Sequence, residues 1–187
     1  TSLSTADYSC IAPLVQRVSE RLAPERVSLG VSSLRAYGLG EQTLDDMQRV
    51  RASGITFAPE AGSQRMRDVV NKNVTEEQLM QTAERIFSRN WSTMKLYFMI
   101  GLPTERDEDV RAIVQLTAKA LDMARKHSQN AKINVGVSTF VPKPFTPFQW
   151  EPMIPLEETR RKHAVLRDEL KELPKRFSAL SVKPHDA

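Results

Sequence analysis

GITFAPEAGSQRMRDVVNK, residues 54–72, runs from a short apolar stretch through a proline, a glutamate and a glycine into a segment of helical spacing. A carboxylate, Glu60, therefore stands where a strand hands over to a helix. In α/β folds the loops at the carboxyl ends of parallel strands gather in one crevice, and residues there line the binding face. Glu60 is for that reason the first candidate for a site. The competing reading is structural: a carboxylate beside the N-terminus of the next helix favours its dipole by about 0.3–1 kcal/mol.

Outward from this stretch the alternation of strand and helix repeats. Ahead of it, Leu14, Val15, Val18 and Leu22 predict a helix over 11–22, with Pro13 tolerated in the first turn. Residues 27–31 predict a buried strand that runs into Ser32, Ser33 and Arg35. A helix over 44–53 is expected next, capped by Thr43 and stopped by Gly54, and the strand 55–58 then delivers Glu60. Beyond Glu60, Thr75 and Gln78 form a capping box for a helix over 75–88. MKLYFMI, residues 94–100, reads as a near-continuous apolar strand ended by Gly101 and Pro103. Thr104 with Asp107 is expected to start the longest helix, which runs to about His127 with Val110, Ile113, Val114, Thr117, Leu121 and Ala124 facing inward. A strand over 133–140 leads to VPKPFTPFQWEPMIP, residues 141–155, which holds five of the eleven prolines and must be an extended loop. A charged amphipathic helix over 156–173 and a last strand after Phe177 close the series.

Strands alternating with helices imply parallel strands joined by right-handed crossovers. With a strand over 1–5 and the one after Phe177, five or six βα units are present, too few for a closed eight-stranded barrel. The fold is an open sheet or a partial barrel, and periodicity does not separate the two. Parallel strands would gather Ser2, Ser4, Thr5 and Asp7, then Ser32, Ser33 and Arg35, then Glu60 and Ser63, then Gly101, Thr104 and Glu105, and finally Ser138, Pro142 and Lys143. Such a hydroxyl-rich set of mixed charge suits a ligand bearing a carboxylate and hydroxyl or amino groups, with Arg35 clamping the carboxylate and Glu60 accepting from a diol or an ammonium.

The 187 residues suit a single domain over 1–187, and 40% hydrophobic with 27% charged residues is an ordinary globular balance. No apolar run approaches the length of a membrane span and no signal peptide opens the chain, so no membrane partner is expected. A lone cysteine, Cys10, cannot build a disulfide or a metal site, and with no leader this points to the cytoplasm. His127, His163 and His185 read as surface residues, and no nucleophile with its base stands out. The net charge of +4 is spread among interleaved acids and bases, which argues against a dedicated nucleic-acid face. The alternative is a non-catalytic or ordinary βα-barrel-like binding module, to which the basic helix over 160–176 adds tRNA or other RNA as a ligand, with packing against the sheet the favoured role for that helix. Both ends read as cut, so a fragment of a larger protein is expected.

The succession TSLSTADY, VSLGVSSLRAYGL, GITFAPEAGSQRMRDVVNKNVTEEQL, MKLYFMIGLPTERDEDV and VGVSTFVPKPFTPFQW resembles the radical S-adenosylmethionine superfamily, nearest to bacterial members that often carry an N-terminal cobalamin-binding-like domain. The resemblance covers almost the whole chain. It implies a partial (βα)6 barrel of TIM-barrel type, truncated by its first βα unit. It further implies S-adenosylmethionine and a [4Fe-4S] cluster as cofactors, cobalamin in an upstream domain, and a flavodoxin or ferredoxin as reductant. In such enzymes three cysteines of a CxxxCxxC loop hold the cluster, and reductive cleavage yields a 5′-deoxyadenosyl radical that takes a hydrogen atom from the substrate. By the same resemblance Ser2, Ser4 and Thr5 would meet the methionine amine, although the usual Gly-Gly-Glu is absent. Ser32 and Arg35 would meet the cofactor carboxylate and Glu60 the ribose or amine. Ile100, Gly101 and Leu102 would pack on the adenine. Glu105 would brace that turn through Gly-x-x-x-Glu rather than Gly-x-x-Glu spacing, and Val141 and Pro142 would pass by the adenine or substrate. The cluster loop is missing, so the fragment alone is expected to be inactive and its substrate is not legible.

Overall fold

The computed structural model describes residues 8–27, 29, 44–45 and 55–184. Its described elements are α1 (Ile11–Leu22), β1 (Ile55–Glu60), α2 (Gln64–Val69), α3 (Glu76–Phe87), β2 (Thr93–Ile100), α4 (Asp107–Arg125), β3 (Lys132–Thr139), α5 (Leu156–Glu172), a short 3-10 turn (Lys175–Phe177) and β4 (Leu180–Pro184). All four strands are parallel and lie in the order β1-β2-β3-β4. The strand expected over 1–5, most of that over 27–31 and most of the helix over 44–53 fall outside the described residues. Of the second of these, Val27 and Leu29 are described and carry no strand, and Val27 is exposed.

The helices form where local chemistry favours them. Thr75 accepts from the Gln78 amide while Gln78 accepts from Thr75, the capping box read from the sequence. The longest helix starts later than its spacing suggested. Thr104 sits at φ +66, a left-handed turn position incompatible with a cap, and Arg106 precedes the helix instead, its amide held by Asp109 at 2.8 Å. Asp107, Glu108 and Asp109 then occupy the first turn, where the helix dipole favours them.

Met94, Leu96, Phe98 and Ile100 of β2 and Ile133, Val135 and Val137 of β3 are buried under α3, α4 and α5, which pack side by side. Burial of this kind stabilises by about 25 cal/mol per Å² of apolar surface. The alternate residues Lys95, Tyr97 and Asn134 are exposed. β2 is thus one-sided, not the near-continuous apolar strand its sequence suggested. A second, smaller cluster of Ala61, Met66, Leu102 and Phe140, with Met99 and Phe148 against it, joins the segments that follow β1, β2 and β3. It forms the floor under the carboxyl ends of these strands.

Candidate functional site

β1 ends in a bulge. Phe57 pairs with Leu96 but Glu60 with Phe98, so one extra residue is taken up between them. Glu60 reaches φ +71, a conformation that costs a non-glycine residue about 1–2 kcal/mol. Bulges and left-handed residues concentrate at functional sites because they re-aim a side chain. The Glu60 carboxylate is partly exposed and lies 3.1 Å from the Lys72 ammonium. It does not cap the next helix: Ser63 does so, its hydroxyl accepting from the Met66 amide at 3.1 Å. The Glu60 carboxylate is therefore a solvent-reaching group on a left-handed backbone, paired with Lys72, while Ser63 makes the side-chain cap.

The rest of residues 61–74 holds that carboxylate in place. A β-carbon on Gly62 would fall 2.2 Å from the Ile113 amide nitrogen, so the loop can lie on α4 only with glycine there. Ser63 donates to Asp109, and Arg65 pairs with Asp109 and donates to the Thr104 carbonyl at 2.9 Å. Burial alone would push the Asp109 carboxyl up, but Ser63, Arg65 and the Arg106 amide together hold it below the usual carboxylate range. Arg67 is buried and donates to the carbonyls of Ala61, Gly62 and Val74 at 3.2, 2.7 and 2.8 Å, stapling the loop from within. Sequence reasoning missed Arg67 and Asp109 because charged residues read as surface.

At the end of β2, Gly101 lies at φ +78 and its amide donates to Glu105 at 2.9 Å. The turn is braced despite the longer spacing. Glu105 is buried against Lys162 of α5 at 2.8 Å. Burial raises its pKa, opposed by hydrogen bonds from Lys162 and the amides of Gly101 and Leu102. Ile100 and Leu102 are themselves buried, the Ile100 carbonyl accepts from the Phe140 amide at 2.8 Å, and Ile154 lies over Gly101. Near the end of β3, Ser138 is half-buried with its hydroxyl 3.4 Å from the Phe98 carbonyl. Val141 is exposed and Pro142 half-buried. Phe148 packs edge-on against Phe140, anchoring the proline-rich loop, while Phe145 and Trp150 are almost wholly exposed.

The structure thus brings Glu60, Gly101, Glu105, Val141 and Pro142 to the ends of three adjacent strands, and Ser63, Thr104 and Glu105 are committed to holding the loops. Ser2, Ser4, Thr5, Ser32 and Arg35 lie outside the described residues. Two of the basic residues proposed for RNA are already engaged, Arg161 by Asp107 and Glu158 and Lys162 by Glu105, and Thr159, Lys162, His163 and Leu166 pack α5 inward. His163 is buried, not on the surface as its sequence context suggested, and desolvation lowers its pKa. No described helix is long and apolar enough to cross a membrane.

A comparison with models of known protein families finds no match. Over 149 residues, 79% of this chain, the sequence is 34% identical to an uncharacterized protein of Methanocaldococcus jannaschii. The matched part spans 30% of that protein's length.

Proposed function

We propose that the chain is part of an incomplete (βα) barrel that binds S-adenosylmethionine across the carboxyl ends of its strands, as the core of a radical enzyme. The strand order supports the barrel reading: consecutive parallel strands with α3, α4 and α5 side by side on one face wind in a single direction, whereas doubly wound sheets reverse their order. The observation that carries the ligand reading is Glu60, a partly exposed carboxylate held in a left-handed bulge above a floor of apolar residues. It suits a ligand with an ammonium and ribose hydroxyls, which would compete with Lys72 for its oxygens. Glu105, bonded to the Gly101 amide and paired with Lys162, keeps the turn after β2 from shifting.

The iron–sulfur cluster does not fit these residues. It needs three thiolates, the sequence has Cys10 alone, and no described group of three or more His, Cys, Asp or Glu side chains could hold a metal. Cluster ligands would have to come from outside the 187 residues. With such a cluster, S-adenosylmethionine supplies hydrogen-atom abstraction; the residues here bind it, orient it and keep water from it.

The test is a protein extended to include the cluster cysteines, reconstituted without oxygen and then reduced. Release of 5′-deoxyadenosine, lost or strongly reduced in Glu60→Gln, is the expected result. An extended sequence without a CxxxCxxC loop, or no deoxyadenosine from a protein that carries the cluster, overturns the reading.

A further inference from the structure

The sheet face turned away from the helices, the inner face of the partial barrel proposed above, makes none of the cofactor contacts of that reading. Parallel sheets are ordinarily covered on both faces, and strands that meet a second helical layer are apolar. This face instead carries Lys95, Tyr97, Asn134 and Lys183, all exposed. The register brings them together: Lys95 stands beside Asn134, Tyr97 beside Gly136, and Gly136 beside Lys183. With strands about 4.8 Å apart and an offset of two residues along them, the two lysines flank β3 with their α-carbons roughly 12 Å apart. Their flexible stems can bring both ammoniums to one small anion.

Between them lies a concave pocket of about 510 Å³, with Val135 and Gly136 of β3 in its lining and Pro184 beside Lys183. Its size falls within the range of small-molecule sites. Among the described residues neither Lys95 nor Lys183 is paired with a carboxylate, whereas Lys72, Lys119 and Lys162 each are. Two uncompensated cations in one concavity favour an anion. Gly136 has no side chain, so the flank of the Tyr97 ring beside it stays open to a planar group. The Asn134 amide adds a donor and an acceptor next to Lys95.

We propose that this concave sheet face binds a small molecule that joins a planar ring to an oxyanion. Lys95 and Lys183 hold the anion, Asn134 hydrogen-bonds beside it, and the ring lies along Tyr97 over Gly136. The site runs along the middle of the strands, not their carboxyl ends, and does not rest on the cofactor reading.

Titration of the 187-residue chain with phenyl phosphate, benzoate, inorganic phosphate and phenol tests this, read by calorimetry and by amide shifts in β2, β3 and β4. At least one of the two ring-bearing anions should bind more tightly than about 1 mM, inorganic phosphate about tenfold more weakly, and phenol not measurably. Phenyl phosphate against benzoate decides between phosphoryl and carboxylate as the anion. Lys95→Met and Lys183→Met should each weaken binding about tenfold, and Tyr97→Ala should reduce the ring-bearing anion to the level of its bare anionic group. All three residues are exposed, and unchanged thermal unfolding verifies that each variant folds. Saturable binding that survives in the double lysine variant, shifts confined to other strands, or no saturable binding of either ring-bearing anion would overturn the proposal.

Discussion

Glu60 concentrates the conflict between local preference and site geometry. Its φ of +71 is a glycine conformation occupied by a residue with a β-carbon. Glu60→Gly and Glu60→Ala remove the same carboxylate and the same pairing with Lys72, so their difference reports the backbone alone. Glycine should be the more stable of the two by about 1 kcal/mol in chemical denaturation, and equal stabilities would remove the strain argument. Glu60→Gln keeps the shape and loses the charge. In the extended enzyme it should cost about 1.5–3 kcal/mol of S-adenosylmethionine binding, measured by calorimetry, with unfolding nearly unchanged. The place of Glu60 at a strand end was legible from the apolar run and the glycine after it. Its left-handed backbone was not, because no glycine or asparagine at position 60 announces one.

The loop between β1 and α3 and the contacts of α4 carry the energetic cost at the scale of elements. Gly62→Ala places a carbon against the backbone of α4, which cannot yield as a flexible side chain would. The variant should lose about 3 kcal/mol of stability, the upper range for overpacking, and a loss below about 1 kcal/mol would mean that the loop can move away. Two carboxylates in this region respond to pH with opposite sign. Asp109 is held below its ordinary value of 3.8, so the stability it confers is present above that value and lost as pH falls through its lowered folded pKa. Asp109→Asn should flatten that acid limb in urea unfolding series. Glu105 is raised above its ordinary 4.5 by burial, so the folded state binds the proton more tightly and stability declines as pH rises from 4.5 to the raised value. Lys162→Met removes an opposing partner. It should cost about 3–5 kcal/mol at neutral pH, less in mild acid where Glu105 is protonated, and a loss independent of pH would show that the pair is not its cause.

Across the whole molecule, the described sheet is covered on one face and polar on the other, with the two clusters of its core at different heights along the strands. β2 and β3 each have a hydrogen-bonded neighbour on both sides, while β1 and β4 flank the described sheet. Amide exchange in β2 and β3 should approach the rate of global unfolding; exchange there as fast as in the loops that join the strands would contradict the arrangement. Helices α3 to α5, the last strand and the proline-rich loop were all legible, because 3.6-residue periodicity, a capping box and prolines act locally. So was parallel pairing, which follows from alternation alone. What the sequence by itself determined is this succession of elements and the candidates at the strand ends, since both depend on contacts within a few residues. Only the tertiary structure decided that Arg67 and Asp109 are internal staples, that Glu105 finds Lys162, and that Lys95 and Lys183 stand on the same sheet face on either side of β3. Those pairings join residues far apart in the chain, and their energies depend on register and burial that no local spacing specifies.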